Sequence, residues 1–247
     1  MDTANKTAIV TGGSRGIGAA AALLLAREGW RVAVGCHRHP DRARALCDRL
    51  RREGREAVPF CGDVSSVAEM EAQVQAVVER WGQIDLLVNN AGIAQQKLFT
   101  DITEAEWDRM FAVNAKGLYA CCRAVVPGMI RRHSGNIINV SSMWGQAGAS
   151  CEVHYSAAKA AVIGFTKALA KELGPSGIRV NCVAPGVIAT EMNANLDGET
   201  LDALREETPL GTIGTPEEAA RAILWLAGDG ASFVTGQVIG VNGGFVI

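Results

Sequence analysis

Residues 7 to 27 read Thr7-Ala-Ile-Val-Thr-Gly-Gly-Ser-Arg-Gly-Ile-Gly-Ala-Ala-Ala-Ala-Leu-Leu-Leu-Ala-Arg27. The opening run, Thr7 to Thr11, is apolar and β-branched as a strand requires, and Ala19 to Arg27 is the alanine-leucine composition of a helix. Between them, Gly12, Gly16 and Gly18 permit a tight turn and a close backbone approach. The first free amides of the helix then face whatever anion enters that turn. The glycine spacing is Gly-x-x-x-Gly-x-Gly and not the commoner Gly-x-Gly-x-x-Gly, so its position at the first strand-to-helix junction carries the reading.

The same alternation continues along the chain. Strands are expected at Arg31–Cys36, 57–64, 84–88, 135–142, 178–184 and 237–242. Between them lie helical patterns. Residues 41–54 carry Ala43, Leu46 and Leu50 at helical spacing, and a capping box from Ser66 to Glu69 opens a helix striped by Val67, Met70, Val74, Val77 and Trp81. A second box, Thr103 to Glu106, opens a long helix toward Arg132, interrupted at Asn114, Gly117 and Pro127. Tyr155 to Leu173 is a further helix, and Thr215-Pro-Glu-Glu218 caps the last one with Pro216 in its first position. Residues 191–214 lose periodicity around Met192, Leu196, Leu201, Leu204 and Leu210, which suggests a lid near 190–214. Strands alternating with helices require a parallel sheet covered on both faces. The expected fold is therefore α/β, a Rossmann-type doubly wound sheet of seven mainly parallel strands in three α/β/α layers. One domain spanning residues 1–247 is expected.

A net charge of −2 gives no electrostatic case for nucleic acid or an anionic membrane. The seven cysteines, an odd number without Cys-x-x-Cys spacing, read as buried small hydrophobes in a reducing cytoplasm. No signal peptide or spanning segment is visible. Cys36-His37-Arg38-His39 finds no matching ligand pair elsewhere, so no metal is expected.

Chemistry concentrates between Ser142 and Lys159. Tyr155 and Lys159 are four apart on a helix and emerge from one face. At an effective dielectric of about 20 and roughly 5 Å, the ammonium is expected to attract a phenolate by about 3 kcal/mol and to lower the tyrosine pKa by about two. Such a phenol exchanges protons near working pH. Ser142, ending a β-rich run, can hydrogen-bond the same substrate oxygen. Asn114 lies among apolar neighbours and must be satisfied; it is expected to distort its helix and hold a water near Lys159, or else to bond only its own backbone. The pair Asn89 and Asn90 at a strand end suggests a cofactor floor. Asp63 is placed to accept from an adenine amino group or to form a turn. After the second strand, where an NAD site would carry an acidic residue, stands Arg38. With Arg15 it can clamp a 2′-phosphate, which points to NADP(H).

Thr-Gly-x-x-x-Gly-x-Gly at 11–18, Asn-Asn-Ala-Gly at 89–92, Asn114, Ser142, Tyr155-x-x-x-Lys159 and Pro185-Gly186 occur in order. On these motifs the chain resembles the short-chain dehydrogenase/reductase family over nearly its full length. The resemblance implies a tetrad of Asn114, Ser142, Tyr155 and Lys159 and commonly a homotetramer. It implies cofactor contacts from Gly12, Ser14, Arg15, Gly16, Ile17, Gly18, Arg38, Asp63, Val64, Asn90, Ala91, Gly92, Tyr155, Lys159, Pro185, Gly186, Ile188 and Thr190. Substrate contacts fall to Ser142, Trp144, Glu152, Tyr155 and Met192. In its length, Arg15, Arg38 and Val241-Asn-Gly-Gly244 ending, the chain is most similar to 3-oxoacyl-acyl-carrier-protein reductases, acting in fatty acid biosynthesis. The segment 142–154 also resembles reductases of the 5-aminopentanone modification of elongation factor P. In that case Glu152 would pair with a substrate amine; alternatively it faces solvent or a neighbouring subunit. A hydroxysteroid or other small-ketone dehydrogenase stays open, because spacing does not read a lid. The intact tetrad argues against a non-catalytic NADP-binding protein.

Overall fold

The computed structural model describes residues 6–194 and 197–247. Among these residues seven parallel strands form one sheet in the order β3-β2-β1-β4-β5-β6-β7. They are β1 (Thr7–Val10), β2 (Arg31–Cys36), β3 (Ala57–Cys61), β4 (Leu86–Asn89), β5 (Gly135–Val140), β6 (Ile178–Pro185) and β7 (Val238–Val241). The helices are α1 (Gly16–Arg27), α2 (Pro40–Arg52), α3 (Val67–Trp81), α4 (Glu104–Phe111), α5 (Gly117–Arg132), α6 (Trp144–Ala147), α7 (Val153–Leu173), α8 (Gly198–Glu207) and α9 (Pro216–Ala227). The expected doubly wound architecture is what forms.

Alternate residues of each central strand serve opposite cores. Ala8, Val10, Leu86, Val88 and Ile138 join Leu25, Leu50 and Ile223 on one face. Ile9, Leu87, Ile137 and Val180 join Met70, Val77 and Met129 on the other. A strand buried on both sides has no polar face, which is why these runs read as continuously apolar. The order reverses between β1 and β4, so the loops leaving their carboxyl ends part and open a crevice. The glycine turn and residues 89–92 border it.

Several expectations need correction. The helix begun at Thr103 does not break at Gly117 or Pro127: α5 starts at one and runs through the other, and the departure from α geometry is a π-helical stretch, Ala112–Lys116. Residues 191–214 are not irregular throughout, since α8 lies among them, capped by Asp197 accepting from the Thr200 amide at 2.8 Å. Leu196 lies outside the described residues. The box at Ser66 is only half formed: Ser66 accepts from the Glu69 amide, but the Glu69 carboxylate accepts from Asp63 N instead of Ser66 N. Cys61 and Cys151 are partly exposed, unlike the other five cysteines. Strand β3 ends at Cys61, short of Val64, because Gly62 and Asp63 turn the chain toward α3.

Candidate functional site

The crevice is a cleft of about 410 Å³. It gathers Gly12, Ser14, Arg15, Gly16, Ile17, Arg38, Asp63, Val64, Asn90, Ala91, Gly92 and Thr190, most of the residues expected to meet a cofactor, together with Met192, expected to meet substrate. Gly18 lies beneath it: a Cβ there would overlap the Gly12 carbonyl and the Asn90 amide. Thr11 fixes the floor, its hydroxyl donating to Val88 O at 3.3 Å and accepting from the amides of Asn90 and Ala91 at 3.0 Å each. The Asn90 side chain donates to Thr11 O and Gly12 O, so it shapes the glycine turn from behind. Asn89 is not part of the floor. Its amide donates to Asn139 Oδ1 at 2.9 Å, and Asn139 donates to Thr166, a polar ladder inside the core. Pro185, Gly186 and Ile188 lie outside the cleft lining; Gly186 packs on Asn242 and Ile188 is buried beside Gly214.

Asp63 is held as a turn former. Its carboxylate accepts from the Ser65 amide at 2.9 Å and hydroxyl at 2.7 Å, with Arg109 at 3.4 Å. Burial pushes its pKa up, but the Ser65 hydrogen bonds and the charges of Arg109 and His37 prevail and lower it. Sequence reasoning missed Arg109, His37 and Glu191 as cleft residues, since none belongs to a spaced motif.

Four side chains lie outside this lining, all buried: Asn114, Ser142, and the expected cofactor contacts Tyr155 and Lys159. Asn114 occupies the π-helical stretch, where the wider turn lets its side chain replace regular helix bonding. Its amide donates to Ile93 O at 3.0 Å and Met110 O at 3.1 Å, and its oxygen accepts from Ile93 N at 3.2 Å. The expected distortion is therefore present, and the asparagine is satisfied beyond its own helix. Lys159 Nζ donates to Val140 O at 3.0 Å and lies 5.8 Å from the Tyr155 ring centre. An added Cβ on Gly92 would lie 2.8 Å from Asn114 Oδ1 and 3.3 Å from Lys159 Nζ, so this cleft residue is where the two meet. Gly145 in α6 lets that helix lie directly on the Lys159 carbonyl, which also accepts from Ser141 at 2.7 Å.

The expected lowering of the Tyr155 pKa does not occur. Burial pushes the phenol up to about 12; the Ser142 hydroxyl beside it pulls down, and the Glu152 charge pushes up further. Lys159 gives no offset because it is spent on the Val140 carbonyl and faces the ring. Burial also lowers Lys159 from 10.5 to about 8. Both groups are thus driven toward their neutral forms by the low dielectric around them.

The first turn of α7 is tied to the segment after β4 by a network absent from the sequence reading. His154, fully buried, has Nε2 3.0 Å from Gln95 Oε1. Gln95 donates to Glu106 at 2.7 Å, and Lys97 donates to both oxygens of the same carboxylate at 2.9 and 2.8 Å. Trp144 borders the apolar cluster of Met110, Tyr155 and Ala158 and meets Phe245 edge-on at 5.4 Å. Glu152 is partly buried, and burial alone raises its pKa. Met192 lines the cleft with 45% of its surface exposed.

Residues 12–246 match the sequence profile of the family described as enoyl-(acyl carrier protein) reductase. The chain is 44% identical to a 3-oxoacyl-[acyl-carrier-protein] reductase of Chlamydia trachomatis, covering 97% of each. It is 42% identical to a protein of the same description from Staphylococcus epidermidis, covering 97% of this chain and 98% of that one. The crystal structure of a 3-oxoacyl-[acyl-carrier protein] reductase from Brucella melitensis superposes with a TM-score of 0.93 at 36% identity, covering 99% of this chain and 93% of that one.

Proposed function

We propose, from the premise that this chain belongs to the short-chain dehydrogenase/reductase family, that it is an NADPH-dependent 3-oxoacyl-[acyl-carrier-protein] reductase. As a family member it is an oxidoreductase acting on CH–OH and C=O groups and binds a nicotinamide cofactor. The observation that carries the proposal is the joint burial of Ser142, Tyr155 and Lys159, with Lys159 Nζ beside Gly92 of a cleft that Arg15 and Arg38 also line. The substrate class is supported by the relatives' descriptions.

The residues present fit a dinucleotide. The glycine turn leaves its backbone bare where a Cβ at Gly12 would press on Ala91, and α1 directs its first amides at the same place. Gly12, Ser14, Gly16 and Ile17 would hold the diphosphate, and Arg15 and Arg38 the 2′-phosphate. Val64, Asn90 and Ala91 would line the adenosine, and Pro185, Gly186, Ile188 and Thr190 would flank the nicotinamide end. When bound, the reduced nicotinamide supplies a hydride to the carbonyl carbon.

The chain's own part is to manage the oxygen. Ser142 donates a hydrogen bond to the carbonyl oxygen and orients it. Tyr155, kept protonated by burial, gives its proton to that oxygen as negative charge develops. A phenol that stays protonated at neutral pH is in the form needed to donate to a carbonyl oxygen. Lys159, lowered to about 8, remains mostly charged at neutral pH and would hold the nicotinamide ribose. Asn114 fixes the π-helical stretch and would anchor the water through which the proton returns. Trp144 and Met192 would border the acyl group. Reduction of acetoacetyl-acyl-carrier-protein with NADPH oxidation followed at 340 nm tests the assignment. A folded Tyr155→Phe chain that keeps wild-type turnover would overturn the mechanism.

The second reading, a 5-aminopentanone reductase, is favoured by Glu152 alone: its carboxylate is partly buried with burial as the sole cause of its shift. If acetoacetyl thioesters are reduced efficiently and Glu152→Gln changes nothing, that reading fails. We also propose a single domain with a lid near 190–214, acting in the cytoplasm as a homotetramer. Exposed Trp107 and Tyr119 on α4 and α5, and Trp225 and Phe233 in and beyond α9, support the assembly. Light scattering of the eluted protein tests it. Among the described residues no helix is long and apolar enough to cross a membrane.

A further inference from the structure

Glu191 follows Thr190 in the segment leaving β6 and lines the cleft together with Arg15 and Arg38. Its carboxylate is gripped from two sides. Oε2 lies 3.0 Å from Arg15 Nη1, in the glycine turn, and both oxygens lie 2.8 Å from Arg42 Nη1, in the first turn of α2. The glycine turn and α2 thus meet on one carboxylate 176 residues from Arg15 and 149 from Arg42.

Arg42 is the unexpected member. A cation in the first turn of a helix opposes the macrodipole, so it needs a nearby anion. Asp41 and Glu191 supply that charge here. The three side chains are roughly half exposed, at 50%, 52% and 43% for Arg15, Glu191 and Arg42. Ion pairs this wet are weak and readily exchanged. A phosphate monoester carries close to two charges and three acceptor oxygens. It therefore outbids a carboxylate for the same guanidinium groups.

We propose that Glu191 is a specificity-determining residue for the cofactor, a carboxylate that competes with the 2′-phosphate for Arg15 and Arg42; this rests on the NADP(H) reading above. Glu191 withholds part of the arginine charge from any ligand, and only a ligand with a 2′-phosphate must displace it. NADH, lacking that group, leaves the three side chains as they stand. Arg42 becomes a third arginine of the phosphate site beside Arg15 and Arg38.

The test is calorimetric titration of wild type, Glu191→Gln and Arg42→Gln with NADPH, NADH and adenosine 2′,5′-bisphosphate at low ionic strength. Removing one negative charge a few ångströms from the phosphate is expected to tighten NADPH and the bisphosphate about three- to ten-fold in Glu191→Gln. NADH should be unaffected, and the gain should shrink in concentrated salt. Arg42→Gln should weaken the two phosphate-bearing ligands. An unchanged or lowered NADPH-to-NADH affinity ratio in Glu191→Gln overturns the proposal, as does unchanged bisphosphate binding in Arg42→Gln. Wild type binding NADH as tightly as NADPH would instead refute the cofactor reading beneath it.

Discussion

Replacing Lys159 by methionine should make the protein inactive and, at neutral pH, more stable. Lys159 is only 5% exposed, and burial is the leading cause of its fall from 10.5 to about 8. That fall corresponds to about 3 kcal/mol charged against folding at pH 7. Methionine matches the length of the stem and removes the charge, while the hydrogen bond to Val140 O is lost, at about 1–2 kcal/mol. The net gain is about 1–2 kcal/mol, or a Tm rise of about 2–8 °C for a chain of this size. The pH dependence separates this account from simple repacking. Because the folded pKa lies below the unfolded one, the unfolded chain binds more protons between about pH 8 and 10.5, and wild-type stability rises through that window. The methionine chain has no such titration, and that of Tyr155 is common to both. Its advantage should therefore hold below about pH 8, shrink above it and reverse near pH 10. Urea unfolding of both chains at pH 7, 8, 9 and 10 measures the difference. A Lys159→Met chain less stable than wild type at pH 7, or a difference that does not change with pH, would refute the reasoning.

Three further outcomes are expected. The reductive kcat/KM should fall above about pH 8 as Lys159 loses its charge, with Tyr155 still protonated; a profile flat to pH 9.5 would contradict this. Gly145→Ala places a Cβ 2.7 Å from Ser141 Oγ and 2.8 Å from the Lys159 carbonyl carbon, so α6 must lift from α7. It should lose about 1–3 kcal/mol of stability and most turnover, and retention of both by thermal melt and steady-state assay would count against the packing argument. Thr215→Ala removes the hydroxyl that accepts from Glu218 N at 3.3 Å and donates to the Glu218 carboxylate at 3.0 Å in the capping box of α9, and should lower Tm by about 2–4 °C without altering cofactor affinity.

The layered fold was legible because its signals are local. Thr11 to Gly18 announces a strand, a turn and a helix within one short window, and Thr215-Pro-Glu-Glu218 announces a helix start that forms with both halves of its box. Helix α8 was hidden because Leu201 and Leu204 are nearly its only apolar residues, although Asp197 offered a cap three residues before Thr200. Pro127 read as a break, yet α5 passes through it. Asn114 was recognisable as a buried polar residue in an apolar run, but its partner Ile93 is 21 residues away and no periodicity links them. The roles of Asn89 and Asn90 diverged for the same reason. One points into a ladder with Asn139 and the other onto the glycine turn, and only the pleat of β4 decides which.

The reversed shift of Tyr155 has a cause that spacing cannot carry. Four residues on a helix bring an ammonium near a phenol, but the attraction counts only against what both groups lose on leaving water. Here the surroundings of Lys159 are backbone and bare glycine: Val140 O accepts from its ammonium, Gly92 flanks Nζ, and Gly145 presses on its carbonyl. A side chain larger than hydrogen at Gly92 would crowd the ammonium itself, and one at Gly145 would press on the Lys159 backbone. Gly92 therefore belongs to the electrostatics of the site as much as to its packing. A Gly92→Ala chain, crowding Asn114 Oδ1 as well as Nζ, should raise the pKa that governs the basic limb if Lys159 is displaced toward water. An unmoved limb in a folded, active Gly92→Ala enzyme would mean that burial of Lys159 does not depend on this glycine.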